Sequence, residues 1–402
     1  MRPFTSVISL EDARRALESA VVPMSRTERV RLEDATGRVA AADCASDIDV
    51  PPFARSAMDG YAVCARDTST ASRTTPVRLR IVERIFAGQV PSKSVAPGTC
   101  AEIATGAPLP PGADAIVIVE ETARAGDADV SIFARAAAGQ NISPRGADIA
   151  RGTSVAQTGD LLTPSRVGAL AAIGRTGVEV FSKPRVAILS TGNEIVEPGE
   201  ALAPGQIYDV NKFTLSAIIS SHGGVPAPHP AVPDTLDALA AAIGRLEGAD
   251  IVVFSGGSSV GERDLILDLV AARGEMIFHG VAIKPGKPTA FARLGGTPFF
   301  GMPGNPTSCL SNAYVLLVPF LRATARLPPH SPRMVRLRLG RRIASASGRH
   351  TFYAVRIEGG KAFPAFKGSG AITSLSQADG YIEIPADQDL VEEGATVDVT
   401  LF

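Results

Sequence analysis

The stretch Ile251-Val252-Val253-Phe254-Ser255-Gly256-Gly257-Ser258-Ser259-Val260-Gly261-Glu262-Arg263-Asp264 decides how the rest of the chain reads. An unbroken apolar run that stops at paired glycines and passes into a helical pattern over 264–273 is the pattern of a buried parallel strand entering a phosphate-type loop. Glycines let backbone N–H groups approach an anion, and the serines add hydroxyl donors. A helix start adds a positive dipole end, and Asp264 has the chemistry to hold a hard cation. A tight strand-to-helix turn with no ligand has the same local pattern.

Around this stretch strands and helices alternate. Strands are expected over 185–190, 251–255, 275–281, 289–293 and 298–301, and helices over 212–222, 235–247, 264–273 and 307–324. That alternation predicts a parallel sheet covered on both faces, with any ligand at the carboxyl ends of its strands. The segment Ser190-Thr191-Gly192-Asn193-Glu194 follows the first strand, where a carboxylate either coordinates Mg2+ or caps the next turn. Lys284-Pro285-Gly286-Lys287-Pro288 places two lysines in a stiffened loop, suited to a multiply charged anion, with a solvated lysine pair as the plain alternative. Gly301-Met302-Pro303-Gly304-Asn305-Pro306-Thr307-Ser308 opens a helix whose free N–H groups suit a phosphate or a pterin polar group, or simply mark a helix entry.

Upstream, residues 9–21 carry an N-cap serine, an acid three positions on and apolar spacing of helical period. Residues 43–63 read as an exposed loop: the proline pair forbids helix, and Asp59-Gly60 marks a turn beside Arg55 and Ser56. Short β-like runs over 77–82, 100–104, 115–119 and 129–133 predict a small β-rich module, with Thr105-Gly106-Ala107-Pro108 as a sharp turn inside it. The loop Ser143 to Ile149 joins Arg145 and Asp148, which a surface ion pair would explain. A further helix is bounded by Pro164 and Gly174. Past a proline-rich linker over 327–332, runs at 335–339, 353–357, 380–384 and 397–401 predict a separate small β barrel or sandwich, which carries Arg349 and the Lys367 to Ser374 loop.

Composition narrows the class. A chain of 402 residues, 45% hydrophobic and 20% charged, holds two to four globular domains. A net charge of −1 with a pI near 6.6 and no basic run argues against nucleic acid as a partner. Cys44, Cys64, Cys100 and Cys309 are scattered, so neither a zinc site nor a disulfide framework is indicated. No run reaches the roughly 18 apolar residues of a membrane span, and the start lacks a signal core; a cytoplasmic protein is expected. The histidines have no ligand spacing. GxxxxGK[ST] is absent, which removes P-loop NTPases.

Read in order, Arg55-Ser56-Ala57-Met58-Asp59-Gly60-Tyr61-Ala62, Thr105 to Pro108, Ser190 to Glu194, Ser255 to Gly261, Lys284 to Pro288 and Pro303-Gly304-Asn305-Pro306 resemble the MoeA family of molybdopterin molybdenumtransferases, to which the gephyrin E domain belongs. The resemblance spans nearly the whole chain. It implies a multidomain α/β protein: a three-layer α/β molybdopterin-binding domain over 180–327, a β-rich inserted domain over 27–139, an elongated scaffold region from 1–26 plus 140–179, and a C-terminal β-barrel over 328–402. It further implies a homodimer with shared active sites, each joining one subunit's α/β domain and barrel to the partner's Asp59 and Thr105 loops.

The implied reaction belongs to molybdenum cofactor biosynthesis: Mg2+-dependent insertion of molybdate into adenylylated molybdopterin, with release of AMP. Glu194, Asp234 and Asp264 are the implied metal carboxylates. Lys284, Lys287, Ser308, Arg349 and Ser369 would supply charge and donors to the oxyanion. Asp59, Thr105 and Asp148 match the family's remaining functional positions. Ser190, Thr191, Gly192, Ser255, Gly256, Gly257, Ser258, Ser259, Pro303, Gly304 and Asn305 would bind substrate. Other proteins of cofactor biosynthesis are implied partners. The rival readings are a molybdopterin adenylyltransferase, expected to be shorter and to lack the insert and barrel, and a non-catalytic scaffold, expected to carry a long linker and a fused second enzyme domain.

Overall fold

The computed structural model describes residues 7–246, 248–256 and 265–402. They fall into two compact units: one made of the chain up to Glu28, Gly37–Val39 and Phe181–Phe402, the other of Arg29–Thr36 and Ala40–Val180.

The second unit is built on a six-stranded sheet of β1 (Gly60–Val63), β2 (Val77–Ile85), β3 (Thr99–Ile103), β4 (Ala115–Ile118), β5 (Thr122–Arg124) and β6 (Asp129–Ile132), in the spatial order β4-β1-β3-β2-β6-β5. The β-rich module is therefore present, with one difference from the sequence reading. Gly60-Tyr61-Ala62-Val63 is not exposed loop but a fully buried strand inside the sheet. The turn signal at Asp59-Gly60 is real, but Gly60 serves close packing as well. A Cβ there would sit 2.0 Å from the Val117 carbonyl oxygen, an approach only glycine allows. The helix Pro164–Ala172 in the same unit is capped by Thr163, whose hydroxyl accepts from the Arg166 N–H.

The first unit holds an α/β domain and a barrel. Its larger sheet comprises β7 (Arg185–Ser190), β8 (Val225–Pro228), β9 (Ile251–Ser255), β10 (Gly274–His279), β11 (Ala290–Leu294) and β12 (Thr297–Met302), in the order β8-β7-β9-β12-β11-β10. The β8-β7-β9-β12 run is parallel, while β11 runs antiparallel to both its neighbours. The expected parallel sheet is thus mixed. The cause is local: Gly295 and Gly296, at φ +55° and +90°, close a two-residue hairpin across Leu294 and Thr297, the geometry that primed turns demand.

Side chains alternate across this sheet as strand geometry requires. Ile188, Val253 and Phe300 face one layer, with the helices Leu10–Ala20 and Asn211–Ser221 and the 306–324 segment. Leu189, Phe254 and Phe299 face the other, with Leu239, Ile266, Leu269 and Val270. Both faces are covered, as the sequence pattern implied. The Leu10–Ala20 helix has the expected cap, Ser9 accepting from the Asp12 N–H at 3.0 Å. The last helix differs from the expected continuous one. It runs Pro306–Asn312, widens into a π-helical turn over Ala313–Leu317 and resumes at Val318–Thr324. Pro319 has no N–H for the carbonyl four residues back, and the wider turn absorbs the mismatch.

The C-terminal strands β13 (Met334–Leu339), β14 (His350–Glu358), β15 (Lys361–Pro364), β16 (Gly380–Ile384) and β17 (Thr396–Leu401) pair in the cycle β14-β15-β13-β17-β16-β14, a closed barrel. Closure leaves no free edge. Its interior packs Leu339, Val355, Ala362, Ile382 and Val399. No helix among the described residues is long and apolar enough to cross a membrane.

Candidate functional site

The carboxyl ends of β7, β9 and β12 lie side by side, because Ser190 is paired with Ser255 and Ser255 with Met302 in parallel register. The chains leaving them are held close by glycine. A Cβ on Gly256, at φ +117°, would lie 2.4 Å from the Thr191 carbonyl oxygen, and one on Gly304 would lie 3.6 Å from Gly256 Cα. Gly192, at φ +149°, has the Glu194 carboxylate folded over it, 2.8 Å from where a Cβ would stand. Side chains at these positions would push the turns apart. Ser190, Thr191, Gly192, Ser255, Gly256, Pro303 and Gly304 are therefore brought together. Gly257, Ser258, Ser259 and Asp264 lie outside the described residues.

The barrel reaches this edge in two places. Asn305 Nδ2 donates to Ser369 Oγ at 3.2 Å, the Thr307 N–H donates to the Ser369 carbonyl at 3.0 Å, and Thr307 Oγ1 donates to the Ala371 carbonyl at 2.7 Å. The short strand Ile283–Lys284 pairs in parallel with β14, Ile283 opposite His350 and Lys284 opposite Thr351. That pairing sets the lysine loop beside the exposed Arg349, one residue before β14. Asn312 Nδ2 donates to the Gly286 carbonyl at 2.8 Å and to Thr289 Oγ1 at 2.6 Å, and the Lys287 carbonyl accepts from the N–H groups of Val281 and Thr289. The backbone between Lys284 and Lys287 is thus pinned from within the fold. Ser308 is buried in the first turn of the helix Pro306–Asn312.

Glu194 and Asp234 are both exposed, on segments that meet where Thr191 bridges Val232 in parallel. Carboxylate oxygens suit a hard cation such as Mg2+. Among the described residues no three His, Cys, Asp or Glu side chains are grouped to hold a metal, and the third implied ligand, Asp264, is not among them.

Asp59, Thr105 and Asp148 belong to the other unit. Asp59 Oδ1 accepts from the Thr105 N–H at 2.7 Å and from Thr105 Oγ1 at 3.0 Å. These two bonds, the backbone one first, hold the Asp59 carboxyl below its ordinary value. Asp148 is exposed, and its N–H donates to the Val50 carbonyl at 3.0 Å. The ion pair expected between Arg145 and Asp148 is not formed: Arg145 Nε donates to Asp49 Oδ2 at 2.6 Å instead. Asp49 also accepts from the Arg151 N–H, so it is anchored as a partner in a way a solvated Asp148 is not.

Sequence reasoning passed over the segment Asp209-Val210-Asn211-Lys212. Asp209 Oδ1 accepts from the Lys212 N–H at 3.0 Å, capping the helix Asn211–Ser221. Asn211 Nδ2 donates to Ser255 Oγ and to the Gly304 carbonyl, each at 2.7 Å. Lys212, only 8% exposed, pairs with Glu197 in the chain beyond β7. Complete burial pushes the Cys309 thiol up to about 12. The available signal was the run of polar residues just before an apolar helical pattern, a hallmark of a cap whose polar groups are spoken for inside the fold.

Comparison with known proteins agrees with this architecture along the whole chain. The MoeA N-terminal region (domain I and II) matches residues 8–174, a probable molybdopterin binding domain matches 187–323, and the MoeA C-terminal region (domain IV) matches 336–402. The molybdopterin molybdenumtransferase of Haemophilus influenzae is 32% identical over 98% of this chain and 99% of its own length. Molybdopterin molybdenumtransferase 2 of Mycobacterium tuberculosis is 35% identical over 92% of this chain and 94% of its own. The crystal structure of a molybdopterin biosynthesis MoeA protein from Pyrococcus horikosii is 41% identical and superposes with a TM-score of 0.83, covering 98% of this chain and 99% of that one. The chain belongs to the MoeA family of molybdopterin molybdenumtransferases.

Proposed function

We propose that this transferase of molybdenum cofactor biosynthesis inserts molybdate into adenylylated molybdopterin and releases AMP in a Mg2+-dependent reaction. The observation that carries the reading is the convergence of the lysine loop and the 303–308 turn with two barrel segments, those of Arg349 and Ser369. Molybdate is a tetrahedral dianion, and Lys284, Lys287, Arg349, Ser308 and Ser369 offer it charge and directed donors. The ends of β7, β9 and β12 would take the organic substrate, whose phosphates suit glycine-bordered backbone N–H groups. Glu194, Asp234 and Asp264 would hold Mg2+, which supplies charge neutralisation at the phosphoanhydride. The protein's own task is then orientation: pinned loops hold two anions at a set separation, which lowers the entropic cost of their reaction.

The reading includes a homodimer in which Asp59 and Thr105 serve the partner's site, with Asp148 as a further functional position. The deciding experiment is AMP release from purified adenylylated molybdopterin with Mg2+ and either molybdate or tungstate. Turnover with molybdate is expected; no AMP release, or turnover with tungstate alone, would overturn the reading.

A further inference from the structure

We infer that Asn211 is a positioning residue that locks the end of β9 at Ser255 to the turn after β12 in the arrangement the organic substrate meets. The inference rests on the proposed reading of these strand ends as the substrate's cradle. β9 and β12 are paired as far as Ser255 and Met302, where the ladder stops. Beyond it Asn211 spans the gap, its two amide hydrogens committed to Ser255 Oγ on one side and the Gly304 carbonyl on the other. A planar amide with both donors used fixes distance and angle together, which an apolar residue of the same size could not do.

The arrangement is poorly explained as a device for stability. Asn211 is 7% exposed, and among the described residues its Oδ1 is buried without a hydrogen-bond partner, as are Asp209 Oδ2, Ser190 Oγ and Thr191 Oγ1 around the same strand ends. Buried polar atoms left unsatisfied cost free energy, and apolar side chains of the same volume would avoid that cost. Retained unsatisfied groups cluster where geometry serves function. Ser255 accepts from Asn211, so its hydroxyl acts here as a strut between β9 and the helix Asn211–Ser221. Neighbouring residues extend the strut. The Asp209 cap sets the helix start, and Lys212 holds Glu197, so one short segment ties together the chains leaving β7, β9 and β12.

The test uses Asn211→Ala and Asn211→Asp in the full chain. The first removes both donors. The second keeps the shape but turns an oxygen toward two acceptors. The readouts are equilibrium affinity for adenylylated molybdopterin without oxyanion, KM and kcat for AMP release, and thermal unfolding. Expected are unfolding within a few degrees of the parent, affinity about tenfold or more weaker, and a matching rise in KM with kcat changed less than about threefold. Should the buried charge of Asn211→Asp prevent folding, Asn211→Ala decides. A folded Asn211→Ala with parent affinity overturns the inference and leaves the proposed reaction standing, as does a loss of binding that only follows loss of folded protein. A parent protein that binds the adenylylated pterin but releases no AMP overturns the reaction and leaves the affinity comparison valid. A parent protein with no affinity for it overturns both.

Discussion

The Asn312 side-chain amide donates to the Gly286 carbonyl at 2.8 Å, and the same amide lies directly beneath Gly286 Cα, where a Cβ would approach Nδ2 to 2.2 Å. Gly286 is at φ +99°, so the lysine loop depends both on a conformation that favours glycine and on an amide placed under it. Gly286→Ala is expected to cost about 1–3 kcal/mol of stability through strain and displacement of Asn312. Asn312→Ala should loosen the loop and raise the molybdate concentration needed for half-maximal AMP release by about tenfold. Urea unfolding and oxyanion titration check the two, and a Gly286→Ala protein as stable as its parent would contradict the packing argument.

Arg349 stands next to the strand that pairs with Lys284. Arg349→Ala should therefore raise the molybdate requirement by roughly ten- to hundredfold, or about 1.5–3 kcal/mol, while nearly sparing affinity for adenylylated molybdopterin. Arg349→Lys should recover only part, because an ammonium lacks the planar fork. Weakened pterin binding with unchanged molybdate dependence would place Arg349 on the organic substrate instead.

The Asp59 carboxyl is held below its ordinary value of 3.8, first by the Thr105 N–H and second by the Thr105 hydroxyl. A depressed folded-state value means that this contribution to stability is present above about pH 3.8 and is lost as pH falls through the lowered value. Thr105→Val removes only the hydroxyl, so the Asp59 titration midpoint, followed by carboxyl carbon NMR, should move part of the way back up. An unmoved midpoint would show that the hydroxyl bond does not persist in solution.

If Asp59 serves the partner's site, an inactive Asp59→Ala protein mixed with an inactive Asp264→Asn protein should regain part of the activity after subunit exchange. One site in each mixed dimer then has both its parts. Asp264→Asn alone should fold normally yet lose Mg2+-dependent AMP release, since one charged oxygen ligand is gone. Exchange proven by mass spectrometry with no recovery would count against a shared site.

Local signals were legible where local physics decides. Ser9 marked a helix start because a cap is satisfied within three residues, and Pro164 marked another because its fixed φ suits the first turn. The apolar run at 251–255 marked a buried strand because burial on both sheet faces leaves no alternation. The turn at Asp59-Gly60 was legible too, but the strand after it was not, since its glycine is explained only by the distant Val117 carbonyl. The glycine pair at 295–296 carried the reversal of β11, a signal present in the chain but outweighed by the alternation around it. The strand Lys361–Pro364 is short and ends on proline, so periodicity alone did not reveal it.

By itself the sequence determined the α/β and β-rich classes, the order of the segments and the ordered motifs of the MoeA family, because periodicity, capping and glycine spacing are properties of neighbouring residues. Tertiary structure alone decided which loops converge. The pairing of Lys284 with Thr351, the reach of Asn305 to Ser369 and the span of Asn211 from Ser255 to Gly304 join residues separated by 44 to 93 positions. Such contacts form only after the sheet has set its strand ends side by side and the barrel has closed. No local propensity encodes them, because each partner's polar group is satisfied by a residue whose distance is fixed by the packing of the whole unit.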